Sequence, residues 1–177
     1  FLHLRNDWVK TLVTKDLGIS LNSHSRHSAI FLKGVYGDYP FQNNLQYYPE
    51  DIIIECIEGL AKAKFGNQER QIQTFEDYIL ATMGEGIAKH FMIPYNTKLW
   101  SLPPSQMTVK WMGRFVPEPQ FTLALKNLLK RKSFAEGYNK DFYYPEADGI
   151  GSISKALGQK IDGIKYSCEV RSVNVTN

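Results

Sequence analysis

The chain has 177 residues, 43% of them hydrophobic and 22% charged, with a formal net charge of +3 at pH 7. That is the composition of an ordinary globular protein with one substantial core. Apart from Lys130-Arg131-Lys132 the basic residues are dispersed, which excludes a nucleic-acid footprint, and no apolar run approaches the roughly 18 residues of a membrane-spanning helix. Two distant cysteines, Cys56 and Cys168, point to buried thiols in a reducing, cytoplasmic setting rather than a disulfide framework.

In chain order, Asn6 or Asp7 caps a first helix through Trp8, Val9, Leu12 and Val13, with Gly18 as its stop. His24 and His27 fall in a polar loop. Ile30 to Tyr36 reads as a hairpin turning at Lys33-Gly34. Pro49 opens a second helix, whose Ile52, Ile53, Cys56, Ile57, Leu60 and Ala61 recur at helical spacing up to Gly66. Thr74-Phe75-Glu76-Asp77 is a capping-box pattern for a third helix with Tyr78, Ile79, Met83, Ile87 and Phe91 on one face, ended by Pro94. Pro103-Pro104-Ser105 restarts the chain toward Trp111, and Pro117 and Pro119 bracket a linker. A further helix carries Phe121, Leu125, Leu128 and Leu129, with Lys130-Arg131-Lys132 at its electronegative end. Phe142 to Pro145 is extended, and Gly149-Ile150-Gly151-Ser152 leads into a helix with Ile153 and Leu157. Ile164, Tyr166, Cys168 and Val170 alternate as a final strand, continued by Val173 and Val175. Mixed in this order, helices and strands predict an α+β fold. One domain over 1–177 is expected, with helices over about 49–132 and sheet-associated parts at 24–45 and 142–177. The start at Phe1-Leu2-His3-Leu4, without an initiator Met, and the strand-like end predict an internal piece of a longer protein.

The chemistry concentrates in Pro94-Tyr95-Asn96-Thr97-Lys98-Leu99-Trp100, the following Ser101-Leu102-Pro103-Pro104, and Arg114. Aromatic rings that stack on a flat ring, with an arginine to grip phosphate, make a nucleotide or nucleotide-sugar site. Tyr95 and Trp100 as core aromatics, with Arg114 as a solvated charge, is the competing reading. Gly84-Glu85-Gly86 begins like a dinucleotide fingerprint, but Lys89 holds the third glycine's place and no strand precedes it, so it is rejected. Gly149-Ile150-Gly151 precedes a helix and suits either a phosphate approach or a plain turn. No metal-ligand spacing and no nucleophile motif occurs.

The Thr74–Asp77 capping pattern, the Tyr95–Trp100 segment, the proline turn and Tyr39-Pro40-Phe41-Gln42-Asn43-Asn44-Leu45 together resemble the flavin-dependent amine-oxidase-like superfamily. Within it, the pattern is most similar to UDP-galactopyranose mutases and their protoporphyrinogen oxidase-like relatives. The resemblance implies a helical substrate-binding or cap region with a small antiparallel sheet, cut from a two-domain FAD-binding flavoprotein. It places Tyr95 and Trp100 at a uridine site, Arg114 on a mobile loop at the diphosphate, Asn44 near the sugar, and Lys98 as a further substrate contact or a brace for the turn. His3 falls near the flavin, and Gly149 and Gly151 are cofactor-proximal. FAD would belong to the full-length protein, since the Gly-rich FAD fingerprint is absent from this sequence. The expected partners are a nucleotide sugar or similar small substrate and the FAD-binding portion of the same chain; a homodimer is left open. No catalytic residue and no metal site is expected here, and no catalysis by these residues alone. An oxidase- or desaturase-type substrate domain, or a binding module that never held a flavin, stand as alternatives.

Overall fold

A computed structural model describes residues 1–66, 71–112, 116, 119–130 and 141–175. The fold is α+β, and its contacts divide the chain into two compact units, Phe1–Arg26 with Asn139–Asn177, and His27–Tyr138.

In the first unit, helix α1 (Asp7–Thr11) starts where the Asn6 side chain accepts from the Trp8 and Val9 amides at 2.9 and 3.2 Å. It runs on through a π-helical turn, Leu12–Asp16. Strand β1 (Leu21–Ser25) pairs antiparallel with β4 (Asp141–Pro145), His24 lying opposite Phe142. His24 is thus a strand residue, not part of a loop. Its imidazole stacks on Phe142, a cross-strand contact that supports the pairing of this polar sequence. Helix α6 (Gly151–Gly158) follows the turn at Gly149. The expected last strand does not form. Residues 161–175 are irregular, and Tyr166, Val170, Val173 and Val175 are exposed. Alternation supplies a face for a strand, but a strand also needs a neighbour to take its backbone hydrogen bonds, and none lies beside this segment among the described residues.

The second unit opens with the hairpin β2 (Ala29–Leu32) and β3 (Val35–Asp38), turned by Lys33 and Gly34 at positive φ as the sequence predicts. Helices α2 (Glu50–Phe65) and α3 (Phe75–Ile87) carry its core, with Ile52, Cys56 and Leu60 meeting Ile79, Met83 and Ile87, all essentially inaccessible to water. The Thr74 hydroxyl accepts from the Asp77 amide at 3.2 Å while Asp77 accepts from the Thr74 amide at 2.8 Å, the reciprocal cap the sequence announces.

Pro94 does not end this helix. The chain continues through a π-helical turn (Ala88–Met92), in which the Ile93 amide donates to the Ala88 carbonyl, into α4 (Ile93–Trp100), which contains Pro94. The interruption lies earlier, at Gly84, with φ 76° and ψ 173°. A Cβ on Gly84 would collide with the Gly59 carbonyl, and one on Gly86 with the carbonyl of Glu55. Gly84-Glu85-Gly86 therefore seats one helix directly against the backbone of another. Helix α5 (Phe121–Lys130) closes the unit, burying Ala124 and Asn127.

Candidate functional site

Helix α4 ends at Trp100, with Ser101 in the left-handed conformation and Pro103 extended after it. Phe91, Met92, Tyr95, Asn96, Leu99 and Trp100 recur at helical spacing and share one wall of a groove of about 180 Å³. Tyr39 and Gln42, from the segment after β3, and Trp111 and Val116 complete it. That volume is below the range of pockets that swallow a whole drug-sized ligand, so it suits one ring with the rest of its molecule outside.

An aromatic column leads into the groove. Tyr48 lies 4.9 Å from Phe41, Phe41 stacks on Phe91 at 5.0 Å and 18°, and Phe91 stacks on Tyr95 at 4.9 Å and 19°. The inner rings are buried, Phe41 completely, while Tyr95 is 43% exposed. Burial, with Asp38 beside it, pushes the Tyr48 phenol up to about 12, so the base of the column is neutral in ordinary conditions. Trp100, 49% exposed, meets Trp111 edge-on at 5.3 Å. A planar ligand ring can extend the column past Tyr95 with Trp100 at its side.

The polar side chains of the groove include two amides, Gln42 and Asn96. Gln42 is only 5% exposed and lines the groove, where its side-chain amide offers both a donor and an acceptor. Asn96 donates from Nδ2 to the Met92 carbonyl at 2.7 Å, which fixes its Oδ1 as an acceptor. No charged residue lines the groove among the described residues.

The expected site residues distribute as follows. Tyr95 and Trp100 come together in this groove. Lys98, on the same helix, is exposed and is not among the lining residues. Asn44 is fully buried; its amide donates to the Pro40 carbonyl at 3.1 Å, bracing the turn that presents Gln42. Arg114 lies outside the described residues. His3, Gly149 and Gly151 belong to the other unit, where His3 is exposed and its Nδ1 lies 3.4 Å from the Asp141 carbonyl. Gln42, Phe91, Asn96 and Trp111 are additions. For the helical ones the signal was present: they lie on the face that already carries Tyr95 and Trp100. For Gln42 nothing local pointed to the groove.

A second depression, about 290 Å³, lies between α2 and α3 beside Gly59, Gly84 and Gly86, with Glu58 and Lys62 on its rim. On its wall Glu55 accepts from Lys89 Nζ at 2.7 Å and lies 2.9 Å from His90 Nε2. The Lys89 hydrogen bond, then that of His90, hold the Glu55 carboxyl below its ordinary range. Next to it, burial pushes the Cys56 thiol up to about 12. Although larger, this depression is lined by opposed surface charges, and the contact between the glycines and the facing backbone leaves no space for a pyrophosphate at Gly84–Gly86. Gly149 and Gly151 border nearly open space, a Cβ on Gly149 meeting only Tyr144 Oη at 3.7 Å. No group of three or more potential metal ligands occurs among the described residues, and no helix is long and apolar enough to cross a membrane.

No protein-family model matches the sequence. Among solved structures, one described as reduced UDP-galactopyranose mutase is similar, with a TM-score of 0.77 and 30% identity over 84% of this chain and 32% of that chain. The chain thus spans about a third of the length of that protein.

Proposed function

We propose that these residues form the nucleotide-binding part of a flavoprotein that acts on a nucleotide sugar, in the manner of a UDP-galactopyranose mutase. The aromatic column ending at half-exposed Tyr95 carries this reading, because it presents a stacking face where a ring-sized groove opens. Tyr95 and Trp100 hold the base, Gln42 and Asn96 read its polar edge, and Arg114, as the resemblance implies, binds the diphosphate. The likeness to the mutase structure supports the assignment at the level of fold and class.

FAD belongs to the full-length protein in this reading, where it supplies the electron-rich centre of the reaction. The residues described here contribute binding and orientation of the nucleotide and exclusion of water from its base. A second reading, a substrate domain of the amine-oxidase type, is favoured by the absence of charge on the described groove lining.

The two separate on nucleotide binding. In the full-length protein, Trp100→Ala and Arg114→Ala each weaken UDP-sugar binding by about 1–3 kcal/mol, the loss expected for a stacked base or a charged hydrogen bond. Unchanged affinity in both variants removes the nucleotide-sugar reading. A flavin absorption spectrum that bleaches with dithionite is expected of the full-length protein; a colourless protein that cannot be loaded with FAD removes the flavoprotein class.

A further inference from the structure

Asp-Gly occurs twice in the chain, at Asp148-Gly149 and Asp162-Gly163. In such a pair the glycine amide nitrogen has a short path to the carboxyl carbon of the aspartate, because no Cβ shields it. How often it takes that path depends on how firmly the surrounding backbone is held. Gly149 stands at the foot of α6, where its carbonyl accepts from the Ser152 amide at 3.2 Å and from the Ser152 hydroxyl at 2.8 Å. A Cβ there would meet Tyr144 Oη at 3.7 Å. Asp162-Gly163 lies in a different setting. It forms a turn after the end of α6, at the start of the irregular stretch 161–175, and both of its residues are exposed, as are their neighbours on either side. Gly163 has a φ of 76°, which glycine takes freely, and a Cβ on it would find no atom of the described residues within 4 Å.

We propose that Asp162-Gly163 is a site of spontaneous covalent modification, where aspartate converts to isoaspartate through a cyclic imide. The Gly163 amide nitrogen attacks Cγ of Asp162. The N–Cγ bond forms and a Cγ–O bond breaks, and the oxygen leaves as water with the amide proton and a proton from solvent. Water then adds back to the imide. Attack at Cγ restores aspartate. Attack at the main-chain carbonyl breaks its bond to the Gly163 nitrogen, so the chain now runs through the side chain and gains a methylene in its backbone. No oxidant, reductant or cofactor enters, and the overall change is an isomerisation. Exposure supplies the water and leaves the backbone room to turn toward the carboxyl group, as expected of a surface segment outside regular structure. At Asp148-Gly149 the same reaction first has to release the hydrogen bonds from Ser152. The product frees the main-chain carboxylate of residue 162, the group that isoaspartyl methyltransferases recognise and esterify.

The test is incubation of the full-length folded protein in warm neutral buffer, followed by digestion and fragmentation mass spectrometry that tells aspartate from isoaspartate at each position. Isoaspartate is expected to accumulate at Asp162 about tenfold faster than at Asp148, the factor that two ordinary hydrogen bonds place on local opening. A purified isoaspartyl methyltransferase is expected to label the aged wild type at the same position. Gly163→Val, which shields the attacking nitrogen with a branched side chain, is expected to lower the yield at Asp162 and leave that at Asp148 unchanged. Asp162→Glu, which keeps the charge but has to close a larger ring, is expected to lose the product at this position. No isoaspartate at Asp162, formation at Asp148 as fast or faster, or an unchanged yield at Asp162 in Gly163→Val overturns the proposal. None of these outcomes bears on the nucleotide reading, which stands or falls on its own variants.

Discussion

Glu55 shows how a single carboxylate ties two helices. It lies on α2, yet it takes hydrogen bonds from Lys89 and His90 beyond the Gly84 interruption. Because the folded state lowers its pKa below the ordinary 4.5, its contribution is complete above that value and lost as pH falls through the lowered one. Glu55→Gln is therefore expected to show a shallower loss of thermal stability below about pH 4.5 than wild type, and an identical acid limb would contradict the role. Cys56 beside it is buried, with its thiol pushed up to about 12, whereas Cys168 is exposed. In the native protein a thiol reagent at neutral pH should label Cys168 quickly and Cys56 only after unfolding; equal rates would contradict the packing of α2. At this scale the sequence singled out Tyr95 and Trp100 by aromatic type, but set them around a proline-rich turn after a helix stop at Pro94, whereas both lie on α4. Gln42 was silent, because its part in the groove depends on a contact between distant segments that no local pattern records.

At the scale of elements, glycine and proline acted opposite to their usual reading. Pro94 looked like a stop, yet the helical path runs on through it after the π-helical turn Ala88–Met92. Gly84 and Gly86 looked like positions inside an unbroken helix, yet they are where two helix backbones touch. Gly86→Ala should destabilise the protein by about 3 kcal/mol or more in urea denaturation, because the obstacle is backbone and cannot rotate away. A loss below about 1 kcal/mol would contradict that packing. Thr74→Ala should cost about 1 kcal/mol through loss of the cap. The cap, the hairpin turn and the starts of α2 and α6 were legible because each depends on residues within a few positions. The final strand was misread for the converse reason: alternation identifies a face, while the partner that makes a strand lies elsewhere in a chain.

At the scale of the whole molecule, α+β architecture follows from the order of elements, and that architecture is similar to about a third of a structure described as reduced UDP-galactopyranose mutase. In the function proposed above, the groove beside α4 would bind a nucleotide by its base, on top of the Phe41–Phe91–Tyr95 column. Saturation-transfer NMR of UMP with the full-length protein tests it most directly, because it reports which ligand protons touch protein. The account predicts strong transfer to the base protons H5 and H6 and weaker transfer to the ribose. It also predicts that Tyr95→Ala abolishes the base signal, with affinity falling by about 1–3 kcal/mol. Transfer confined to the ribose, or a base signal unchanged in Tyr95→Ala, would contradict it.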